Sequence, residues 1–117
     1  MKERKLICKH ENRWHWGTAV VLISCRGVAM VELYFVDENP GVCHVSNLIV
    51  LEPLRRRGWA SELLEKAEEE ARKRGCFRID LDAVLEPAFV AEFYERRGFV
   101  RTTQEEHTVR MYKMLKP

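Results

Sequence analysis

The sequence predicts an α+β domain: a mixed, mostly antiparallel sheet built around one parallel β-α-β unit. Three observations carry this. Apolar runs of strand length fill 19–25, 28–36 and 42–51 before any helical period begins. The period turns helical over 55–74, alternates over 77–85, and turns helical again from Pro87 to Gly98. The last stretch, Phe99–Thr103 and Thr108–Leu115, reads as an antiparallel hairpin. At 117 residues the expectation is a single domain spanning 1–117. A chain of that size buries roughly two thirds of its unfolded surface, enough for one core.

In chain order, the first sixteen residues carry the weakest signal. Leu6-Ile7-Cys8 fits a short strand, and His10 to Trp16 is polar and aromatic with no clear period. Ala19–Cys25 reads as a buried strand, Arg26-Gly27 as a tight turn, and Val28–Val36 as a second strand broken by Glu32. Asp37-Glu38-Asn39-Pro40-Gly41 is a turn cluster. Val42–Leu51 is a third strand, apolar on both faces towards its end as a central strand should be. In the first helix Ala60, Leu63, Leu64, Ala67 and Ala71 share a face. The other face pairs Glu62 with Lys66, Glu68 with Arg72, Glu69 with Lys73 and Glu70 with Arg74, which reads as solvated surface. Gly75 caps its end. Ile79, Leu81, Ala83 and Leu85 alternate with Asp80 and Asp82, giving a strand that should run parallel to 42–51. Pro87 opens the second helix, where a missing N–H costs nothing, and Gly98 ends it.

Bulk properties exclude several classes. The apolar fraction of 46% is ordinary for a globular chain. Net charge is +2, from 20 basic and 18 acidic residues, which favours neither wholesale nucleic-acid nor membrane binding. No apolar stretch follows the charged Met1–Lys5, so neither a signal peptide nor a transmembrane span is expected. Cysteines 8, 25, 43 and 76 form no framework, which points to a reducing compartment and a cytoplasmic protein. Cys8/His10 and Cys43/His44 repeat no ligand spacing, so no metal site is expected.

The most informative segment is Leu48 to Ala60: an apolar strand, an arginine- and glycine-bearing turn, then a helix start. Helix starts present unpaired N–H groups and partial positive charge, and so attract phosphate. Gly58 lets backbone approach a ligand closely. Arg55, Arg56 and Arg57 add donors suited to phosphate oxygens. The simplest use of such a site is to hold the pyrophosphate of a nucleotide-like cofactor.

Two separated motifs then carry a resemblance. Arg55-Arg56-Arg57-Gly58-Trp59-Ala60 is similar to the Q/R-x-x-G-x-G/A turn of the GNAT superfamily of acyl-CoA-dependent N-acetyltransferases. Phe93-Tyr94-Glu95-Arg96-Arg97-Gly98-Phe99 is similar to that family's second motif, an aromatic-Tyr, a charged pair and Gly-Phe. The resemblance runs from about Val42 to Leu115. It implies the acyl-CoA N-acyltransferase fold, with the β-α-β unit as its acyl-CoA-binding core. It also implies acetyl-CoA as acyl donor, direct attack by a primary amine in a ternary complex, and no metal.

By the same resemblance, the donor's diphosphate rests on Arg55–Arg57, Gly58, Trp59 and Ala60. Its pantetheine arm bonds backbone near Leu48, Ile49 and Val50, in a cleft where two parallel strands splay. Tyr94 matches the family tyrosine often assigned to protonate the leaving thiolate. The base position of some members falls on His44, with Ser46 on the same face, and Glu32 is the other candidate. The chain departs from the pattern at Ala60, for the second glycine, at the bulky Trp59, and at Pro87, where an asparagine is common. The short N-terminal part leaves no room for the two helices that many members place between their first two strands. That points to an open acceptor site or one completed by a second subunit, hence a homodimer. The acceptor is an amine of a small molecule or a protein. Two other readings compete: an acyl-CoA-binding regulatory module with little catalysis, and a basic-patch interaction domain. Trp14 and Trp16, flanking His15, fit an acceptor-site patch, ordinary packing or a dimer contact.

Overall fold

The computed structural model describes residues 7–24, 27, 29–50 and 58–116. Its elements are β1 (Ile7–Trp14), β2 (Gly17–Ser24), β3 (Ala29–Val36), β4 (Val42–Val50), α1 (Trp59–Lys73), β5 (Arg78–Val84), α2 (Phe89–Arg96), β6 (Val100–Gln104) and β7 (Thr108–Met114). One seven-stranded sheet runs in the order β1-β2-β3-β4-β5-β7-β6. β4 and β5 are parallel, and every other neighbouring pair is antiparallel. The mixed sheet with a parallel β-α-β unit is the predicted architecture.

The pleat sorts side chains to two unlike faces. Val20, Leu22, Val31, Leu33, Cys43, Val45, Ile79, Leu81, Val109 and Met111 turn to one face and are buried. There they form one core with Leu63, Leu64, Ala67 and Ala71 of α1 and Ala91 and Tyr94 of α2. Leu63 and Leu64 are at most 1% exposed. Burying a side chain of this kind contributes about 1.5–3 kcal/mol. The other face carries Glu32 and Tyr34 of β3, His44 and Ser46 of β4, Asp80 and Asp82 of β5, and Arg110 and Tyr112 of β7. No helix among the described residues covers it.

Both helices stop the same way. Gly75 N–H donates to Arg72 O at 3.0 Å and Cys76 N–H to Ala71 O at 2.9 Å. At α2, Gly98 N–H donates to Glu95 O and Phe99 N–H to Tyr94 O, both at 3.0 Å. This paired closure places Cys76 and Phe99 back in the core.

Several expectations need correction. Residues 7–14 form a full edge strand, not a short one, and only a tight turn at His15-Trp16 separates it from β2. β1 lies at the sheet edge and is largely exposed from Lys9 on, so burial never imposed a period on it. Glu32 does not break β3; it turns to the open face. The first helix begins at Trp59, and the second at Phe89, two residues after Pro87, whose carbonyl accepts from Val90 N–H at 3.2 Å. The charged face of α1 is not simply solvated. Glu68 and Glu70 are both 7% exposed. Glu68 meets Lys113 of β7 at 2.9 Å, and Glu70 meets Lys9 of β1 at 3.3 Å, so these acids tie the helix to both halves of the sheet.

Candidate active site

The sheet opens at its centre. β4 and β5 pair from Val42↔Arg78 to Val45↔Leu81. Beyond that rung β4 continues to Val50 and β5 to Val84 with no further pairing between them. A bulge on the opposite edge of β4 coincides with the parting. Met30 pairs Ile49 while Glu32 pairs Ser46, so Asn47 and Leu48 stand opposite Val31 alone. Asn47 takes φ 52°, the left-handed region that asparagine tolerates better than most residues. The extra residue resets the alternation. Leu48 and Val50 pack against the core, and Ile49 is 48% exposed. The three residues expected to meet the pantetheine arm thus lie on the segment of β4 that has left β5.

Gly58 sits at the N-cap of α1 with φ 83°, a conformation that favours glycine, and no side chain among the described residues caps this helix start. Its carbonyl already accepts from Glu62 N–H at 3.0 Å. Trp59 packs against the core and Ala60 is half-buried. Arg97, at the end of α2, reaches this first turn. Its guanidinium bonds the Ser61 hydroxyl and lies 5.6 Å from the Phe93 ring centroid. The sequence showed Arg97 only as part of a charged pair; its reach to α1 depends on how the two helices pack. Arg55, Arg56 and Arg57, also expected here, lie outside the described residues.

On the open face, one rung before the sheet parts, His44 stands beside Asp80. Their Nδ1 and Oδ1 are 2.8 Å apart. His44 is 35% exposed at its side chain and Asp80 13%. The second Asp80 oxygen lies 3.6 Å from Arg110 and 3.7 Å from Arg78. Arg110 also forks onto Asp82 at 2.8 and 3.2 Å. Burial alone would raise the Asp80 carboxyl. The His44 hydrogen bond, with the charges of His44, Arg110 and Arg78, overcomes that and holds it below the usual carboxyl value. Asp80 was legible only as the polar half of an alternating strand. Its meeting with His44 follows from the parallel register.

Glu32, the other candidate base, already accepts two bonds, from Tyr34 OH and Asn47 Nδ2, both at 2.7 Å. The Tyr34 bond in turn holds that phenol above its ordinary value. Tyr34 pairs across the strands with His44, and Ser46 with Glu32. Trp16 packs on Tyr34 with ring centroids 5.8 Å apart, while Trp14 is 52% exposed.

Tyr94 lies on the helix-covered side, so it and His44 flank the sheet from opposite faces. It is 8% exposed, with edge contacts to Phe93 at 5.3 Å and Phe99 at 5.6 Å. Burial pushes its phenol up to about 12. Burial also pushes the Cys43 thiol well above its ordinary value, and the Cys76 thiol in the same direction. Neither supplies a thiolate nucleophile at neutral pH.

Residues 3–99 match the Acetyltransferase (GNAT) family. An acetyltransferase of Agrobacterium fabrum is 44% identical over 61 residues, covering 52% of this chain and 43% of that protein. The glucosamine 6-phosphate N-acetyltransferase 1 of Oryza sativa subsp. japonica is 30% identical over 78 residues, covering 67% of this chain and 46% of that protein. The chain thus spans less than half the length of these curated relatives. Among solved structures, the PaiA N-acetyltransferase of Thermoplasma acidophilum in complex with coenzyme A superposes with a TM-score of 0.74 at 17% identity, over 82% of this chain and 60% of that one. A putative acyl-CoA N-acyltransferase of Klebsiella pneumoniae gives a TM-score of 0.70 at 20% identity, over 86% and 74%. These likenesses show the acyl-CoA N-acyltransferase fold, and with the family match over most of its length the chain belongs to the GNAT acetyltransferase family.

Proposed function

We propose that this chain is an N-acetyltransferase that moves an acetyl group from acetyl-CoA to a primary amine by direct attack in a ternary complex. The observation that carries this reading is the place where pairing between parallel β4 and β5 stops, at Val45↔Leu81, with a helix that starts at a left-handed glycine, Gly58, following in the chain. A helix start of this kind suits a diphosphate. Strand backbone freed from its neighbour suits the amides of an extended arm. When bound, acetyl-CoA supplies the thioester carbonyl that the amine attacks. By the family resemblance, Gly58, Trp59 and Ala60 would hold the diphosphate, together with Arg55, Arg56 and Arg57, which lie outside the described residues. By the same resemblance the arm would lie along Leu48, Ile49 and Val50.

The amine arrives as an ammonium near pKa ~10 and must lose a proton before it attacks. His44 takes that proton on the open face. As the C–N bond forms and the C–S bond breaks, Tyr94 donates a hydrogen bond to the departing sulfur from the covered face. Burial favours the neutral phenol at Tyr94, so it keeps its proton while donating that hydrogen bond. Tyr94 therefore steadies the thiolate, and the proton reaches sulfur by way of His44 or water.

The acceptor class follows only in outline. One relative is a glucosamine 6-phosphate N-acetyltransferase and another an N-alpha-acetyltransferase from Arabidopsis thaliana, consistent with a small-molecule or protein amine here. The free thiols of Cys43 and Cys76 fit a reducing, cytoplasmic setting.

Thermal shift with acetyl-CoA and with CoA tests the binding half: both should raise the midpoint through linkage. Gly58→Val should abolish that shift, because a β-branched residue neither adopts φ 83° easily nor leaves the turn open. Release of free thiol on adding an amine panel tests the chemistry. Binding without any thiol release would favour the regulatory reading instead.

A further inference from the structure

Resting on the function proposed above, we propose that Asp80 is a positioning residue that holds His44 in a single tautomer, while Arg78 and Arg110 keep Asp80 charged.

Neutral imidazole carries one N–H, and which nitrogen holds it is set by the partner of the other. Asp80 Oδ1 lies 2.8 Å from His44 Nδ1. A charged carboxylate can only accept, so Nδ1 must be the donor and the free lone pair falls on Nε2. Asp80 stays charged because two guanidinium groups face its other oxygen at 3.6 and 3.7 Å. Those cations also divide its negative charge, so its service to His44 is mainly geometric. The remaining polar groups around the pair are Tyr34, across from His44 on β3, Tyr112, across from Asp80 on β7, Asp82 along β5, and Glu32 along β3. The pair sits one rung before β4 and β5 part, on the face from which the function proposed above brings the amine.

The step balances simply. An N–H bond of the ammonium breaks and its proton joins the Nε2 lone pair. The imidazolium keeps its Nδ1 proton and still donates it to Asp80 Oδ1. The Nε2 proton later leaves to the thiolate or to water, and nothing is oxidised or reduced.

The first test needs no variant and no turnover. ¹⁵N chemical shifts of His44 in the wild-type protein should report Nδ1–H with bare Nε2 above the imidazole titration; the opposite tautomer overturns the proposal. The second test is kinetic. Asp80→Asn should lower kcat by about 10- to 100-fold, less than the roughly 10²- to 10⁴-fold of losing the acid or base itself because His44 remains, with the KM for acetyl-CoA unchanged. Asp80→Glu, which can restore a carboxylate hydrogen bond to Nδ1, should recover part of the loss. A correctly folded Asp80→Asn protein with wild-type kcat would sink the idea. If the wild-type protein releases no thiol with any amine, the functional reading fails, and the tautomer measurement alone still decides whether Asp80 orders His44.

Discussion

At the scale of single residues, the reaction proposed above divides its labour across the sheet. His44 and Asp80 lie on the open face, and Tyr94 on the covered one. His44 and Tyr94 were legible as candidates through the resemblance of their segments to the family's motifs. Asp80 was not, because a parallel register cannot be read from two strands separated by a helix. Tyr94→Phe separates binding from chemistry. The ring keeps its edge contacts with Phe93 and Phe99, so stability and CoA affinity should change little. The hydroxyl's bond to the leaving sulfur is lost, and a hydrogen bond to a charged group is worth about 1.5–3 kcal/mol. That corresponds to a fall in kcat of roughly 10- to 150-fold. Steady-state kinetics beside a CoA titration checks it, and unchanged kcat would strip Tyr94 of its role.

At the scale of elements, the bulge in β4 does most to shape the gap. Without an extra residue, the alternation that buries Val45 would bury Asn47 and Ile49 and expose Leu48 and Val50. Asn47 absorbs the offset in the left-handed region and ties itself to Glu32. From sequence this stretch looked apolar on both faces, which located a central strand but hid the reason for the pattern. β1 was missed for the converse cause: an edge strand with six exposed residues shows no burial period. The helix ends were legible because glycine after a charged turn is a local signal. Asn47→Val should therefore cost about 1–2 kcal/mol of stability, since a β-branched residue resists that conformation, and should weaken CoA binding by disturbing the gap. Asn47→Gly should keep the bulge and most of the affinity while losing the Glu32 bond. Chemical denaturation with CoA titration of both variants checks this; equal behaviour of valine and glycine would mean that the backbone conformation is not what matters.

At the scale of the whole molecule, stability should form a plateau with two limbs whose causes differ. Asp80 and Glu70 are both held below their ordinary carboxyl values. Burial opposes this in each, and it is outweighed by His44, Arg110 and Arg78 at Asp80, and by Lys9 and Arg74 at Glu70. A carboxyl depressed in the folded state contributes stability that is full above its unfolded value, about 4, and is lost as pH falls through the folded one. On the alkaline side, burial raises Cys43 and Tyr94, so folding is favoured while both are neutral. That contribution is full below the unfolded thiol and phenol values, about 8.5 and 10, and is lost as pH rises above them. Urea midpoints should therefore be flat between about pH 5 and 8.5 and fall on both sides. Glu70→Gln should lower the plateau, because Lys9 loses its partner and Arg74 keeps only Glu11, yet make the acid limb shallower. Cys43→Ala should lower the plateau through its cavity and make the alkaline limb shallower. Each variant removes one titrating group from one limb only, so a change in the slope of the opposite limb, or no change in its own, would show that the pH dependence arises elsewhere in the sheet.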